Sequence, residues 1–417
     1  MAARTGNRSI SGFSFFISVI IFFVTTSNIF AALGINLQQS VIYDNNVFRN
    51  SSAHSDMIYV SELHLSYPAQ FHKIRVNWNY SGGLFTYQDY NEHRFNTNSL
   101  WTNFYTPILN NVFIRAHLGI VYNQQGEEYS IFDNRRIQFS SQLQSNITRS
   151  FVHTLGYAHE RKTYPHTSEI SYSENNMISI ARLFFRSRTT FIWEVRFSQK
   201  NYTNESSSSQ IVLYEKDNNG QYYGSGKGGP FGNGNNGKEG ASSHPDSSIM
   251  VTNISQPDVS QFYMKIKIAQ SLSNSTGLGL EFSRFFPANQ LTRFITGQDF
   301  SYDDNNELYD DHYTYESKVF SVSITQLLPF AVKINSHFSY GNKQYNYSLY
   351  DETTQKNNRD DIHIKYGIGI LKTFAINKPF MNEMDINIDA LWLNNKSNEE
   401  YFDYDSLSIL FKIDILF

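Results

Sequence analysis

The chain closes on "LSILFKIDILF", in which Leu407, Ile409, Phe411, Ile413, Ile415 and Phe417 fall at every second position. Ser408, Lys412 and Asp414 stand between them, and Leu410 and Leu416 are the exceptions. Successive side chains of an extended chain point to opposite faces, so this spacing describes a strand with one oily face and one mostly wet face. The pattern recurs along the chain. "KIRVNWNY" sets Ile74, Val76, Trp78 and Tyr80 against Lys73, Arg75, Asn77 and Asn79. "IRAHLGIVY" sets Ile114, Ala116, Leu118, Ile120 and Tyr122 against Arg115, His117 and Gly119. "FIWEVRFSQK" opposes Phe191, Trp193, Val195 and Phe197 to Glu194, Arg196, Ser198 and Lys200. Helical spacing fits none of these segments.

Sixteen strands are predicted on this basis, near 37–49, 57–66, 72–87, 96–108, 111–123, 135–148, 150–163, 169–186, 189–203, 258–272, 275–290, 311–327, 330–348, 360–375, 382–397 and 403–417. Their connections alternate strictly between long polar loops and tight links such as the "NN" after Leu109 or the "SNS" around Asn274. One end of such a structure is trimmed and the other decorated. A transmembrane β-barrel has this asymmetry, with short turns on one side and long loops on the other. The even tally places both termini on the short-turn side. The expectation is a single all-β, antiparallel up-and-down barrel of about sixteen strands, with fourteen or eighteen as alternatives. Closure would satisfy the backbone in lipid, and Tyr80, Phe104, Tyr105, Tyr122, Phe338, Tyr340 and Trp392 would form interface girdles.

The N-terminus begins "MAARTGNRSI", with Arg4 and Arg8 and no acid, followed by the apolar run from Phe13 to Val24 and small residues at Ala31 and Ala32. A basic start, a short oily core and small residues describe a cleavable secretory signal over 1–31, which leaves 32–417 as the barrel. Composition removes other classes. The net charge of −4 gives no sign of a nucleic-acid partner, and the absence of cysteine excludes disulfides and thiolate metal sites.

With the signal segment, the repeated hairpins and the terminal "SLSILFKIDILF", the chain resembles the outer-membrane β-barrels of diderm bacteria. The resemblance implies a place in the outer membrane among its lipids and lipopolysaccharide. It also implies that Phe411, Ile413, Ile415 and Phe417 form the address read by the barrel-assembly machinery. The stretch "YTYESKVFSVSITQLLPFAVKINSHFSYGNKQY" is similar to barrels found behind helical-repeat domains, such as surface lipoprotein assembly modifiers, but this chain lacks the repeat part.

Residues 204–257 differ in composition and include "GSGKGGPFGNGNNG". "GNGNNG" has the letters of a dinucleotide fingerprint without its preceding strand or following helix. A long polar loop is the expectation, with folding into the barrel as its functional alternative. The histidines have no metal-site spacing; His153, His159 and His166 are expected on a polar lumen or in loops. No cofactor, metal or catalytic group is expected.

The wet faces give the candidate site. Lumen-lining candidates are Lys73, Arg75, Arg115, His117, Glu194, Arg196, Lys265, Lys267, Lys333, His337, His363, Lys365, Asp385 and Asp389. Bases outnumber acids among the inward positions assigned in this way, which predicts a cationic lumen, while the acids Asp303, Asp304, Glu307, Asp310, Asp311, Asp351 and Glu352 gather in external loops. A barrel of this size holds a water-filled channel. The expected role is passive passage of small hydrophilic, in particular anionic, solutes. The alternative is a barrel without a channel that exports or displays a surface protein or serves as an adhesive anchor. The terminal pattern carries a direct test. Deleting Phe417, or making Phe417→Asp, is expected to reduce assembly sharply, read as loss of the heat-modifiable gel mobility of a folded barrel.

Overall fold

The computed structural model describes residues 33–203, 258–288, 312–345, 358–378 and 381–417, together with three two-residue ladders inside 206–255. Sixteen antiparallel strands form one closed barrel, each paired with its sequence neighbours and the first with the last. They are β1 (Gly34–Asp44), β2 (Asp56–Phe71), β3 (Ile74–Tyr87), β4 (Phe95–Leu109), β5 (Val112–Gln125), β6 (Asn134–Thr148), β7 (Phe151–Thr163), β8 (Tyr172–Phe184), β9 (Thr189–Tyr202), β10 (Val259–Ser271), β11 (Thr276–Pro287), β12 (Tyr315–Leu328), β13 (Val332–Tyr345), β14 (Asp360–Lys378), β15 (Met381–Ser397) and β16 (Tyr404–Leu416). The expected strand count and the alternation of short and long links both hold. The signal segment and the acids of 301–311 and 351–352 lie outside the described residues. Most of 204–257 also does, although Ser206–Ser207 pairs with Ile254–Ser255 and Ile211–Val212 with Met250–Val251.

The alternation sorts the wall. Leu100, Leu118, Leu155, Trp193, Phe320, Ile368, Ile388 and Phe411 are exposed and point outward. This inverted arrangement suits a hydrocarbon solvent and would not suit water. The tight turns are made where the chain has little room. His72, Arg188, Phe330 and Ala331 all take positive φ, the geometry that brings two twisted strands together through a short link.

The seam is closed by β1 and β16, with Val41 opposite Phe411 and Gln39 opposite Ile413, and Phe417 N–H donates to Ile35 O at 2.9 Å. The strand expected to reach residue 49 stops at Asp44. The fully buried Asp44 carboxylate accepts from the hydroxyls of Ser406 and Ser408, both at 3.1 Å, and from Asn46 N–H at 2.8 Å. Asn46 Nδ2 in turn donates to Asn50 O at 2.8 Å and Asp405 O at 3.2 Å. Short polar side chains thus offer the backbone a turn in place of the ladder. The chain folds inward, and Val47 and Phe48 pack on Ile42, Ile58, Val60, Tyr87 and Phe95. An Asp44→Ala variant leaves two hydroxyls and one N–H without their acceptor. It is expected to destabilise the barrel by roughly 1–3 kcal/mol, measured as a lower urea midpoint, with faster hydrogen exchange over 45–55.

Candidate functional site

The inner wall is solvent-exposed at mid-depth and toward the tight turns, and filled toward the long loops. Arg75, Arg115, His117, His337 and Lys365 all point inward and remain exposed. Arg75 and Arg115 come from β3 and β5 and flank Tyr105 of β4, which is in register with both. Their guanidinium carbons lie 5.9 and 5.8 Å from its ring centroid, and Phe113 stacks beside it at 5.6 Å. Aromatic faces hold cations in this way without neutralising them. Two rings lie flat where the neighbouring strand has no side chain: Trp101 over Gly119 and His337 over Gly367. A Cβ at either glycine would drive the ring into the lumen.

Across β9 to β11 the charges are paired. Glu194 accepts from Arg196 at 3.0 Å and Lys265 at 2.8 Å, and Lys267 lies 3.6 Å from Glu281. Cross-strand register sets these contacts, since Lys265 stands opposite Glu194 and Lys267 opposite Glu281. A separate arc across β15, β16 and β2 is acidic. Asp385 faces Asp414 directly, Lys412 lies 3.1 Å from Asp414, Asp389 is hydrogen-bonded by Asn387, and Glu62 accepts from Gln38 at 2.5 Å.

The outer mouth is lined by inward tyrosines from the ends of the strands: Tyr87, Tyr172, Tyr202, Tyr315 and Tyr345, all buried. Cations lie on several of them. Lys200 Nζ is 4.0 Å from the Tyr172 ring, Lys343 is 4.6 Å from Tyr315, and Arg359 is 4.1 Å from Tyr345 and 3.4 Å from Phe402. Arg359 also donates to Asp361 at 3.0 Å. Above β1 to β6, three consecutive loops meet in an aromatic cluster. Phe48 packs on Tyr90 at 4.9 Å and on His93 at 5.1 Å, His93 lies 4.0 Å from Tyr129, and Tyr90 is hydrogen-bonded to His54 at 2.8 Å. Asp56 holds this cluster to the wall by accepting from the backbone N–H groups of Gln88, Asp89 and Tyr90.

Most of the sequence-chosen residues share the inner face, but they divide among these groups and form no single cluster. Arg75 and Arg115 meet on Tyr105; Glu194, Arg196, Lys265 and Lys267 lie together; His363, 3.9 Å from Asp361, stands near the mouth. Lys333 is at the turn end, and Asp385 and Asp389 belong to the acidic arc. Four placements need correction. Lys73 sits in the tight turn after β2, because the ladder ends at Phe71–Ile74. Tyr105, expected in an interface girdle, points inward. His153 and His159 point outward, since they share parity with Leu155 and Tyr157. The excess of bases narrows, because Asp44, Asp56, Glu160, Glu174, Asp361 and Glu383 fall on the inner face as well, against the further bases Arg136, Lys162, Arg182 and Lys343. None of the mouth-ring tyrosines is among the girdle aromatics or the lumen candidates expected from the sequence. The alternation carries the signal, since Gly83, Phe85 and Tyr87 continue the parity of Arg75.

This geometry defines a class: a closed, sixteen-strand barrel, oily outside and charged within, of the kind that crosses a membrane with strands. Among solved structures, the outer membrane protein OprD from Pseudomonas aeruginosa superposes with a TM-score of 0.50 at 9% sequence identity, covering 93% of each chain. OccK3 (OpdO) from Pseudomonas aeruginosa gives 0.49 at 9% identity, covering 95% of this chain and 98% of its own. OccAB1 from Acinetobacter baumannii gives 0.49 at 8% identity, covering 92% and 96%. No family model matches the sequence, and no curated protein matches it. At these identities the OprD likeness establishes the barrel fold. It does not bear on the similarity of 313–345 to surface lipoprotein assembly modifiers.

The loop cluster carries a pH dependence. Burial pushes the His93 imidazole down to about 4, with Asp56 opposing, from the 6.5 of an exposed histidine. The folded state therefore binds fewer protons than the open one. The cluster is at full strength above pH 6.5, weakens as pH falls and has lost this contribution below pH 4, a change of about 3 kcal/mol. Hydrogen exchange at residues 88–94 is expected to accelerate across that window. In His93→Phe most of the dependence should vanish; an unchanged profile would assign it to other groups.

Proposed function

We propose that this protein is a porin-like channel of the bacterial outer membrane, passing small hydrophilic solutes by diffusion. The observation that carries the reading is a closed wall whose inner face is charged and solvent-exposed at mid-depth, within an exterior made for lipid. Sixteen strands are enough to enclose an aqueous path. Passage is passive, so the reading assigns no chemical step to any side chain. Assembly through a C-terminal signal at Phe411, Ile413, Ile415 and Phe417 belongs to the same reading, as do phospholipid and lipopolysaccharide as surroundings.

The nearly balanced inner face replaces a uniformly cationic lumen with two unlike arcs. Among the described residues Arg75 and Arg115 are held by an aromatic ring and not by a carboxylate, so their field reaches the solvent; Lys265 and Lys267 are neutralised by Glu194 and Glu281. A modest preference for anions at low salt follows, set by the two arginines and weakened as salt shortens the screening length to about 10 Å at 0.1 M. The second reading, a barrel that exports or displays a surface protein or serves as an anchor, draws on the filled outer mouth.

Reconstitution in planar bilayers separates the readings. The channel reading expects ion current, and a shift of the reversal potential toward cations in Arg75→Glu with Arg115→Glu. The outward Ile266→Val serves as a control that leaves selectivity unchanged. A folded barrel that never conducts would favour the anchor or export reading, and a doubly substituted barrel with unchanged selectivity would remove the arginines from the argument.

A further inference from the structure

On the outer surface near the tight turns, β6 to β9 leave a groove of about 290 Å³ lined by Ile147, Phe151, His153, Ser179, Ala181, Trp193 and Val195. All seven share the outward parity of Leu143, Leu155 and Met177 and therefore face lipid. In this oily lining His153 Nε2 and Ser179 Oγ lie 3.0 Å apart. Polar groups on a lipid-exposed face are costly and call for an explanation. A neutral imidazole and a hydroxyl supply one N–H and one O–H. Their mutual bond uses one of these in either tautomer, and the other remains free to donate outward.

The charge below the groove is one-sided. Arg149 lies in the turn between Ile147 and Phe151, two residues from each, and Arg186 lies in the next tight turn around the rim. Both are exposed, and neither has an acidic partner among the described residues. Arg188 of the same turn donates to Asn274 at 2.7 Å. The described tight turns also carry His72 and Lys73 and no acid, whereas Asp89, Glu92, Glu127, Glu128, Glu399 and Glu400 lie in the loops at the other end. Arg149 and Ser150 stand level in the turn, so at ~3.3 Å per residue and a tilt near 40° His153 stands roughly 8 Å deeper in the membrane than Arg149.

We infer that this groove binds an anionic glycerophospholipid of the leaflet on the tight-turn side. Its phosphate would meet Arg149 and Arg186, its acyl ester carbonyl would accept from the His153–Ser179 pair, and one chain would lie against Trp193 and Ile147. A guanidinium matches a phosphate in both charge and shape. The occupant is an anionic lipid and not a zwitterionic one, because the turns supply cations and no acid to meet an ammonium group.

The test uses the full chain extracted from vesicles of equimolar dioleoylphosphatidylglycerol and dioleoylphosphatidylethanolamine, with the retained lipid quantified by mass spectrometry. Wild type is expected to retain phosphatidylglycerol in preference. Arg149→Glu with Arg186→Glu should lower that preference roughly tenfold, the effect of about 1.4 kcal/mol. His153→Leu with Ser179→Ala should retain less of both lipids while keeping the order between them. Lys73→Glu, in a distant turn, should behave as wild type. Heat-modifiable mobility confirms folding of each variant, and current in the same bilayers stays independent of the outcome. Equal retention of the two lipids by wild type, or an unaltered preference after the arginine reversals, would overturn the site. Unaltered retention by the His153 and Ser179 variant would overturn the ester contact.

Discussion

The constraint on which the rest of the structure depends is the satisfaction of backbone hydrogen bonds where no water is available. An open sheet in hydrocarbon would leave a full row of N–H and C=O groups unpaired, at several kcal/mol for each. Pairing β1 with β16 removes both edges at once. Ser406 and Ser408, buried on the inner face, extend that closure through Asp44 into the first long loop, so the seam and the mouth are tied by the same residues.

Closure also dictates what each face can carry. Outward positions meet hydrocarbon and take Leu, Ile and Phe with little regard for shape. Inward positions must satisfy one another or water, and they do so by three different means. Paired charges serve β9 to β11. A ring under two guanidiniums serves β3 to β5. Tyrosines beneath Lys200, Lys343 and Arg359 fill the mouth. The buried side chains of this protein accordingly gather at the outer end of the lumen, and the lower wall stays wet.

The polar exceptions on the outer face are informative for the same reason. His153 and Ser179 have no structural need to face lipid, and they sit beside the basic turns that carry Arg149 and Arg186. Sequence spacing alone left His153 among scattered histidines. It takes the register of β7 against β8 to bring Ser179 to its side, across 26 residues of chain.

Period-two alternation, strict alternation of link lengths and the terminal phenylalanine strand were enough to determine an up-and-down barrel of about sixteen strands and the face to which most side chains belong. These are local properties, since an extended chain assigns each residue to a face by parity alone. What only the tertiary structure decided depends on register between strands and on the path of the loops. Parity could not say that Lys265 meets Glu194, that Tyr105 lies between Arg75 and Arg115, or that residues 45–55 turn inward and end β1 at Asp44. Those outcomes follow from which residue stands opposite which, and closure of the sheet fixes that for all sixteen strands together.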